Sequence, residues 1–312
     1  MDAVVGLLDG VRARGAFVLR MVLDAPWSMR IQDDAPLTLI CQTHGRAAIV
    51  GDDSGTVWLE AGDVAVARGT QHYLFADDPG TRPMVVIHPG QRCTTLAGDD
   101  LRFEMSLGVR TWGNSANGAD RSIICAYEGH SEVSARLLDA LPSVLVLRGI
   151  DWDTTLIELL AEEAGRDGPG QEAYLDRLLD LLLIAVLRTW FDREENAPPW
   201  WHAEQDPVVG PALRLIYNNP AHPWTVANLA AAVGSSRAVF ARRFTELVGE
   251  PPIAFLTSWR LALAADLLRS SKATIAAVAK QVGYATPFAL SSAFKRAYGV
   301  SPNTHRATAR TA

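Results

Sequence analysis

Thr225-Val-Ala-Asn-Leu-Ala-Ala-Ala-Val-Gly234, followed by Ser235-Ser-Arg-Ala-Val-Phe-Ala-Arg-Arg-Phe244 and Gly249, has a second copy further along the chain. That copy is Thr274-Ile-Ala-Ala-Val-Ala-Lys-Gln-Val-Gly283, followed by Tyr284-Ala-Thr-Pro-Phe-Ala-Leu-Ser-Ser-Ala-Phe294 and Gly299. In both copies Thr to Gly spans nine positions and Phe to Gly five, the mark of a duplicated supersecondary unit.

Each copy has a physical reading. The Thr225 and Thr274 hydroxyls can accept from an otherwise unpaired N–H in a first helical turn. A short Ala/Val/Leu helix follows, and Gly234 and Gly283 supply the left-handed backbone that ends it cheaply. Ser235 or Ser236 in one copy and Thr286 in the other cap a second helix, with Pro287 at the position that tolerates a missing N–H. Two helices joined by a tight glycine turn form a helix-turn-helix, whose second helix can enter a major groove. Between the copies, Pro252 to Ser270 places Ile253, Leu256, Trp259, Leu263, Leu267 and Leu268 at helical spacing. A helix of roughly 18 residues is about 27 Å long and, with its turns, can hold two reading helices about 34 Å, one DNA turn, apart.

Charge weighs against a purely structural helical array. Residues 205–312 carry 12 Lys and Arg against 4 Asp and Glu, net +8, and residues 1–204 carry net −14. The whole-chain charge of −6 therefore conceals a basic module joined to an acidic one, as expected if only the C-terminal part meets phosphate.

The segment from about Pro207 to Arg306, including Phe294-Lys295-Arg296-Ala-Tyr298-Gly299-Val-Ser-Pro302, resembles the AraC/XylS family of bacterial transcription regulators. The resemblance implies double-stranded promoter or operator DNA and RNA polymerase as partners. Position by position, it implies base-reading roles for Arg237, Ala238, Ala241 and Arg242 in the first unit and Phe288, Ser291 and Ser292 in the second. Many family members carry Arg where Ser292 stands, so a bidentate guanine contact is missing there. Arg237 and Arg242 are expected to dominate direct readout. Arg243, Arg260, Lys295 and Arg296 are the expected phosphate anchors.

The rest of the chain is longer and less explicit. Short apolar or alternating runs from Ala16 to about Gly129, among them Phe17–Leu23, Leu37–Cys41, Val64–Ala67 and Ile123–Tyr127, are separated by Gly, Asp and Pro, which argues for a sandwich or barrel. The phrase Glu60-Ala-Gly62-Asp63-Val-Ala-Val-Ala-Arg68-Gly69-Thr-Gln-His72 resembles half of a cupin barrel, and the segment resembles the cupin-like sensor of a subgroup of AraC-type regulators. Trp58, His72, Tyr73, Phe75, Cys125 and Tyr127 are the candidate lining of an effector pocket. His44, His72, His88 and Cys125 are the residues to weigh as metal ligands. Thr43-His44-Gly45-Arg46 lacks the second histidine of the cupin metal motif, so no metal or cofactor is expected.

Helices are expected over Ser131–Leu141, Thr154–Ala164 and Gln171–Asp192. The last is apolar nearly all round and therefore needs partners on several sides, the barrel and a second copy of the chain being the natural two. Pro198 and Pro199 favour extended backbone in a linker, 196–206, between a sensor and dimerisation domain, 1–195, and a DNA-binding domain, 207–312. Asp206 is placed to cap the next helix, from Pro207. No signal peptide is read at Met1–Gly10, no apolar run is long enough to span a bilayer, and Cys41, Cys93 and Cys125 read as reduced thiols, so a cytoplasmic location is expected.

The expected fold is α+β in two domains, a cupin-like barrel with helices followed by an all-α double helix-turn-helix. The expected function is sequence-specific transcription regulation by an effector-responsive homodimer. Two alternatives stay open, a metal-dependent cupin enzyme fused to a DNA-binding module and a constitutive regulator whose N-terminal domain only dimerises.

Overall fold

The computed structural model describes residues 16–51, 55–69, 71–127, 132–193 and 197–308. The expectation for Met1–Gly10 and the residues Ser131 and Asn196 lie outside them. The described residues divide into two units, one within 16–127 and 138–193, the other 132–137 with 197–308.

Among the described residues the first unit holds thirteen strands: β1 (Phe17–Leu23), β2 (Ser28–Ile31), β3 (Leu37–His44), β4 (Arg46–Gly51), β5 (Gly55–Glu60), β6 (Val64–Arg68), β7 (Tyr73–Ala76), β8 (Val85–His88), β9 (Arg92–Thr95), β10 (Ser106–Gly108), β11 (Thr111–Trp112), β12 (Asp120–Tyr127) and β13 (Val144–Leu147). They form a seven-stranded sheet, β10-β11-β1-β12-β3-β6-β13, and a six-stranded sheet, β5-β4-β7-β2-β8-β9. Met21, Ile40 and Ala65 from the first sheet and Met29, Ile49, Phe75 and Ile87 from the second form one core.

The seven-stranded sheet is apolar on both faces. On β12, Ile124 lines the space between the sheets, whereas the Tyr127 hydroxyl on the other face donates to the Leu179 carbonyl at 3.2 Å. Leu179 lies on α3 (Gln171–Phe191), which packs with α2 (Thr155–Ala164). Double-sided cover explains the nearly continuous apolar run Ile123-Ile-Cys-Ala-Tyr127. The Gly62-Asp63 phrase is architectural. Buried Asp63 accepts from the Glu60 N–H at 3.0 Å, the Gly149 N–H at 2.8 Å and the Arg148 guanidinium at 2.7 Å, fastening the β5–β6 turn to the end of β13.

The second unit holds α4 (Pro199–Gln205), α5 (Val209–Asn218), α6 (Val226–Ala232), α7 (Arg237–Val248), α8 (Pro252–Ser270), α9 (Ile275–Gln281), α10 (Pro287–Tyr298) and α11 (Pro302–Thr308). The helix α1 (Glu132–Asp139) starts among residues of this unit, where Asp266 of α8 accepts from the Glu132 and Val133 N–H groups at 2.8 and 3.2 Å. The extended linker expected at Pro198-Pro199 is corrected. Pro198 is extended, but Pro199 occupies the first turn of α4, where its fixed φ suits a helix and its missing N–H costs nothing. Ala203 is fully buried, and α4 packs on α5 and α7.

Caps define both helix-turn-helix copies. Thr225 forms a reciprocal capping box with Asn228, Ser236 accepts from the Val239 N–H, Thr274 from Ala277 and Thr286 from Ala289. The first copy closes on an aromatic core, with Tyr217 against Trp259 at 4.7 Å between ring centroids and Phe244 against Phe255 at 5.7 Å. The second is filled by Ala264, Ala265, Leu268, Val278, Leu290 and Phe294.

Candidate nucleic-acid interface and effector pocket

Helical periodicity sorts the reading helices into buried and exposed faces. On α7 the buried residues are Phe240 and Phe244, which leaves Arg237, Ala238 and Arg242 exposed and Ala241 half-buried. On α10 Leu290 and Phe294 are buried, Ser291 is half-buried, Ser292 is exposed, and the Phe288 ring is 80% exposed. All seven residues expected to read bases therefore stand off the core side of their helices. An exposed phenylalanine in the first turn of a reading helix is unusual for a surface in water and suits a thymine methyl.

The four expected phosphate anchors divide into two pairs. Lys295 and Arg296 are exposed in the last turns of α10. Arg243 instead donates through Nε and Nη2 to Asp206 Oδ2 at 2.8 and 2.5 Å. Asp206 is only 9% exposed, and its other oxygen accepts from the Val208 and Val209 N–H groups, both at 2.9 Å. Asp206 thus fastens the turn that enters α5 while holding Arg243, although the helix expected from Pro207 starts at Val209 with Val208 as its N-cap. Burial raises its pKa, but the Arg243 guanidinium and the two N–H donors outweigh burial and hold the carboxyl below its ordinary pKa.

Arg260 also departs from the expected role. Its Nε donates to the Pro220 carbonyl at 2.7 Å and its Nη2 to the His222 carbonyl at 2.8 Å. A Cβ on Gly283 would lie 2.9 Å from that Nη2 and 2.7 Å from the Ala221 Cα. Arg260 is therefore the tie between the α5–α6 loop and the turn of the second helix-turn-helix. Its guanidinium, with pKa lowered by burial, is occupied by carbonyls rather than free for phosphate.

Between the two sheets lies a narrow apolar pocket with an enclosed volume of about 40 Å³; the roughly 510 Å³ of empty space around it includes open solvent. Met21, Met29, Ile40, Phe75, Trp112 and Ile124 are among its walls, and Asp33, Thr38, Gln91 and Tyr73 among its polar residues. Of the expected lining residues, Tyr73 and Phe75 are in place. The other four are corrected. Cys125 and Tyr127 have the opposite parity to Ile124 and pack toward the helices; Trp58, on β5, lies under the Arg46 guanidinium at 4.6 Å; and the His72 ring is 56% exposed, 3.7 Å from Asp34. Sequence reasoning missed Asp33 and Gln91 because both lie outside the strands, in segments without periodicity.

No three His, Cys, Asp or Glu side chains converge as a metal site among the described residues. His88 Nε2 contacts Thr94 Oγ1 at 2.9 Å, and His44 is exposed at the end of β3. Burial pushes the Cys41 thiol up to about 12 and the Cys125 thiol well above its ordinary value, so neither is a ready thiolate.

The pattern described as Cupin matches residues 2–192, and that described as Helix-turn-helix domain matches residues 229–308. A putative AraC-like transcription regulator from Streptomyces antibioticus is 39% identical over 98% of both chains. The chain belongs to the AraC-like transcription regulators. The HTH-type transcriptional regulator AlkR from Acinetobacter baylyi is 27% identical over 98% of this chain and 99% of its own. Among solved structures, the DNA-binding domain of AdpA in complex with a target DNA is 33% identical over 34% of this chain and 95% of that chain, with a TM-score of 0.32. This AraC-like regulator is a DNA-binding protein with a cupin domain. Among its described residues no helix is long and apolar enough to cross a membrane.

Proposed function

We propose that this AraC-like protein is an effector-controlled, homodimeric regulator whose sensing domain, 1–195, is joined through 196–206 to a DNA-binding domain, 207–312. Arg237 and Arg242 read bases from α7; Ala238, Ala241, Phe288, Ser291 and Ser292 add van der Waals and hydroxyl contacts. Lys295 and Arg296 neutralise phosphates, and RNA polymerase is the downstream partner. The observation that supports this most directly is the exposed, cation-bearing face of α7, opposite the buried Phe240 and Phe244.

The effector enters the pocket between the sheets and acts by binding one arrangement of the chain better than another. Recovery of genomic fragments bound by purified protein tests the DNA half of the proposal. A shared motif with two blocks about one turn, roughly 34 Å, apart is expected; fragments with no common sequence would overturn it. Sedimentation of the protein across a concentration series tests the dimer, and a single monomeric species at all concentrations would remove it.

A further inference from the structure

The pocket between the sheets has walls of one chemistry and an interruption of another. Among the described residues Asp33 is the only acidic one that lines it, and no lysine or arginine does. The partners of Asp33 are neutral: the Ala35 N–H at 3.3 Å and the Gln91 amide at 3.0 Å. Among the described residues no cation pairs with it. His72 is 3.7 Å from the neighbouring Asp34 instead. The influence of Asp33 is felt inside the pocket, where burial and then the Asp33 charge push the Tyr73 hydroxyl well above its ordinary pKa.

One further observation bears on a guest here. Asp34 and Gln91 have φ of 55° and 57°, left-handed backbone that L side chains rarely adopt, and they flank the Asp33–Gln91 contact. Strain of this kind persists where surrounding structure over-determines it, commonly beside ligand sites.

We propose that the pocket takes an apolar molecule carrying a protonated amine, with the ammonium on Asp33 and the hydrocarbon between the two sheets. The proposal rests on the effector reading above and names the chemical class of the effector. A carboxylate in an otherwise apolar pocket is costly unless paired, so a cationic guest gains where a neutral isostere gains only hydrocarbon burial. Met21 and Met29, unbranched and adaptable, are the wall residues that yield to a guest of varying shape.

Calorimetric titration of the full chain at pH 7 with 4-phenylbutylamine, 4-phenylbutan-1-ol and 4-phenylbutyrate provides the test. The amine is expected to bind about 10-fold more tightly than the alcohol, about the weight of one charge-assisted bond, and the acid to bind weakest. In Asp33→Asn the amine preference should collapse to within about 2-fold while the alcohol is unaffected. Ile124→Trp, which fills the pocket, should abolish binding of both. Equal amine and alcohol affinities that Ile124→Trp removes would overturn the amine assignment and leave the effector pocket standing. Amine binding that survives Ile124→Trp would overturn both, and heat from none of the three probes would overturn the amine assignment. Loss of the folded-state circular dichroism in Ile124→Trp would transfer its role to Phe75→Ala, which should weaken amine and alcohol alike.

Discussion

The two helix-turn-helix copies share hydroxyl caps, positive-φ glycines and the Thr-to-Gly and Phe-to-Gly spacings, with one residue more in the turn of the second, yet their outward chemistry differs. The first presents Arg237 and Arg242; the second presents Phe288, Ser291 and Ser292, with its cations Lys295 and Arg296 held back to the end of the helix. Their surroundings differ too. Gly234 is in open space, whereas Gly283 lies against the Ala221 backbone and the Arg260 guanidinium. The backbone repeat is what folding demanded of both copies, and the differences record what each copy touches.

The largest effect should come from that asymmetry in packing. Alanine at Gly234 meets only the left-handed backbone penalty, about 1–2 kcal/mol. At Gly283 the same penalty, at φ 84°, is joined by a Cβ placed 2.7 Å from the Ala221 Cα and 2.9 Å from its carbonyl oxygen. Because backbone cannot step aside as a side chain can, Gly283→Ala should cost several kcal/mol in all, beyond about 3. Chemical denaturation of the two variants checks the order, and equal losses would mean that the tie through Arg260 carries no strain.

Next in size is base readout. Arg242→Ala or Arg237→Ala should reduce discrimination between the best site and its single-base variants by about 1–3 kcal/mol each, the weight of a bidentate guanine contact. The exposed Arg242–Glu246 pair, 3.8 Å apart, is too solvated to hold Arg242 back. Phe288→Ala should cost less and act on thymine-containing positions, and Ser292→Arg should add guanine preference to a helix that has none. Competition binding against a panel of variant sites measures all four. A larger specificity loss from Phe288→Ala than from Arg242→Ala would reverse the proposed division of labour.

How much of this was readable in advance follows from how local each signal is. A cap, a glycine turn and an i, i+4 apolar pair lie within a few residues of one another, so both copies and the whole span of α8, Pro252–Ser270, are legible in the sequence. The barrel strands with clear punctuation are legible too, β1 to the residue. β2, β9 and β13 have no such contrast; Val144-Leu-Val-Leu147 is a four-residue apolar run that becomes a strand only by pairing with β6. Cys125 and Tyr127 could not be assigned a face from alternation, because helices cover the far side of β12 and both parities are apolar. Asp33 reaches the pocket from a loop, where no period exists to announce it.

The pair Asp206–Arg243 gives a smaller, pH-dependent difference. Asp206→Asn should remove charge pairing with Arg243 while keeping an acceptor for the first turn of α5, and a loss of about 1 kcal/mol is expected, the usual weight of a weakened cap. The folded-state pKa of Asp206 is lowered, so its contribution is fully present above the unfolded value, about 3.9, and is lost as pH falls through the folded value. Stability curves of wild type and variant should therefore run parallel from pH 5 to 8 and converge below pH 4. Convergence at the alkaline end instead would show that another group carries the difference.

The smallest effect separates cations that are free from cations that are spent. Lys295→Ala should weaken every sequence alike and reduce the slope of log affinity against log salt by about 0.9, one phosphate's worth of released counterions. Arg296→Ala should do the same. Arg243→Ala should change that slope much less, since its guanidinium is already satisfied by a carboxylate that is 9% exposed and that also fastens the turn into α5. A phosphate could recruit Arg243 only by leaving that carboxylate buried with its charge unmatched, a cost a surface phosphate contact does not repay. Equal slope changes for Lys295→Ala and Arg243→Ala would mean that DNA binding opens the Asp206 pair, and the entry to α5 would then move when the protein engages its site.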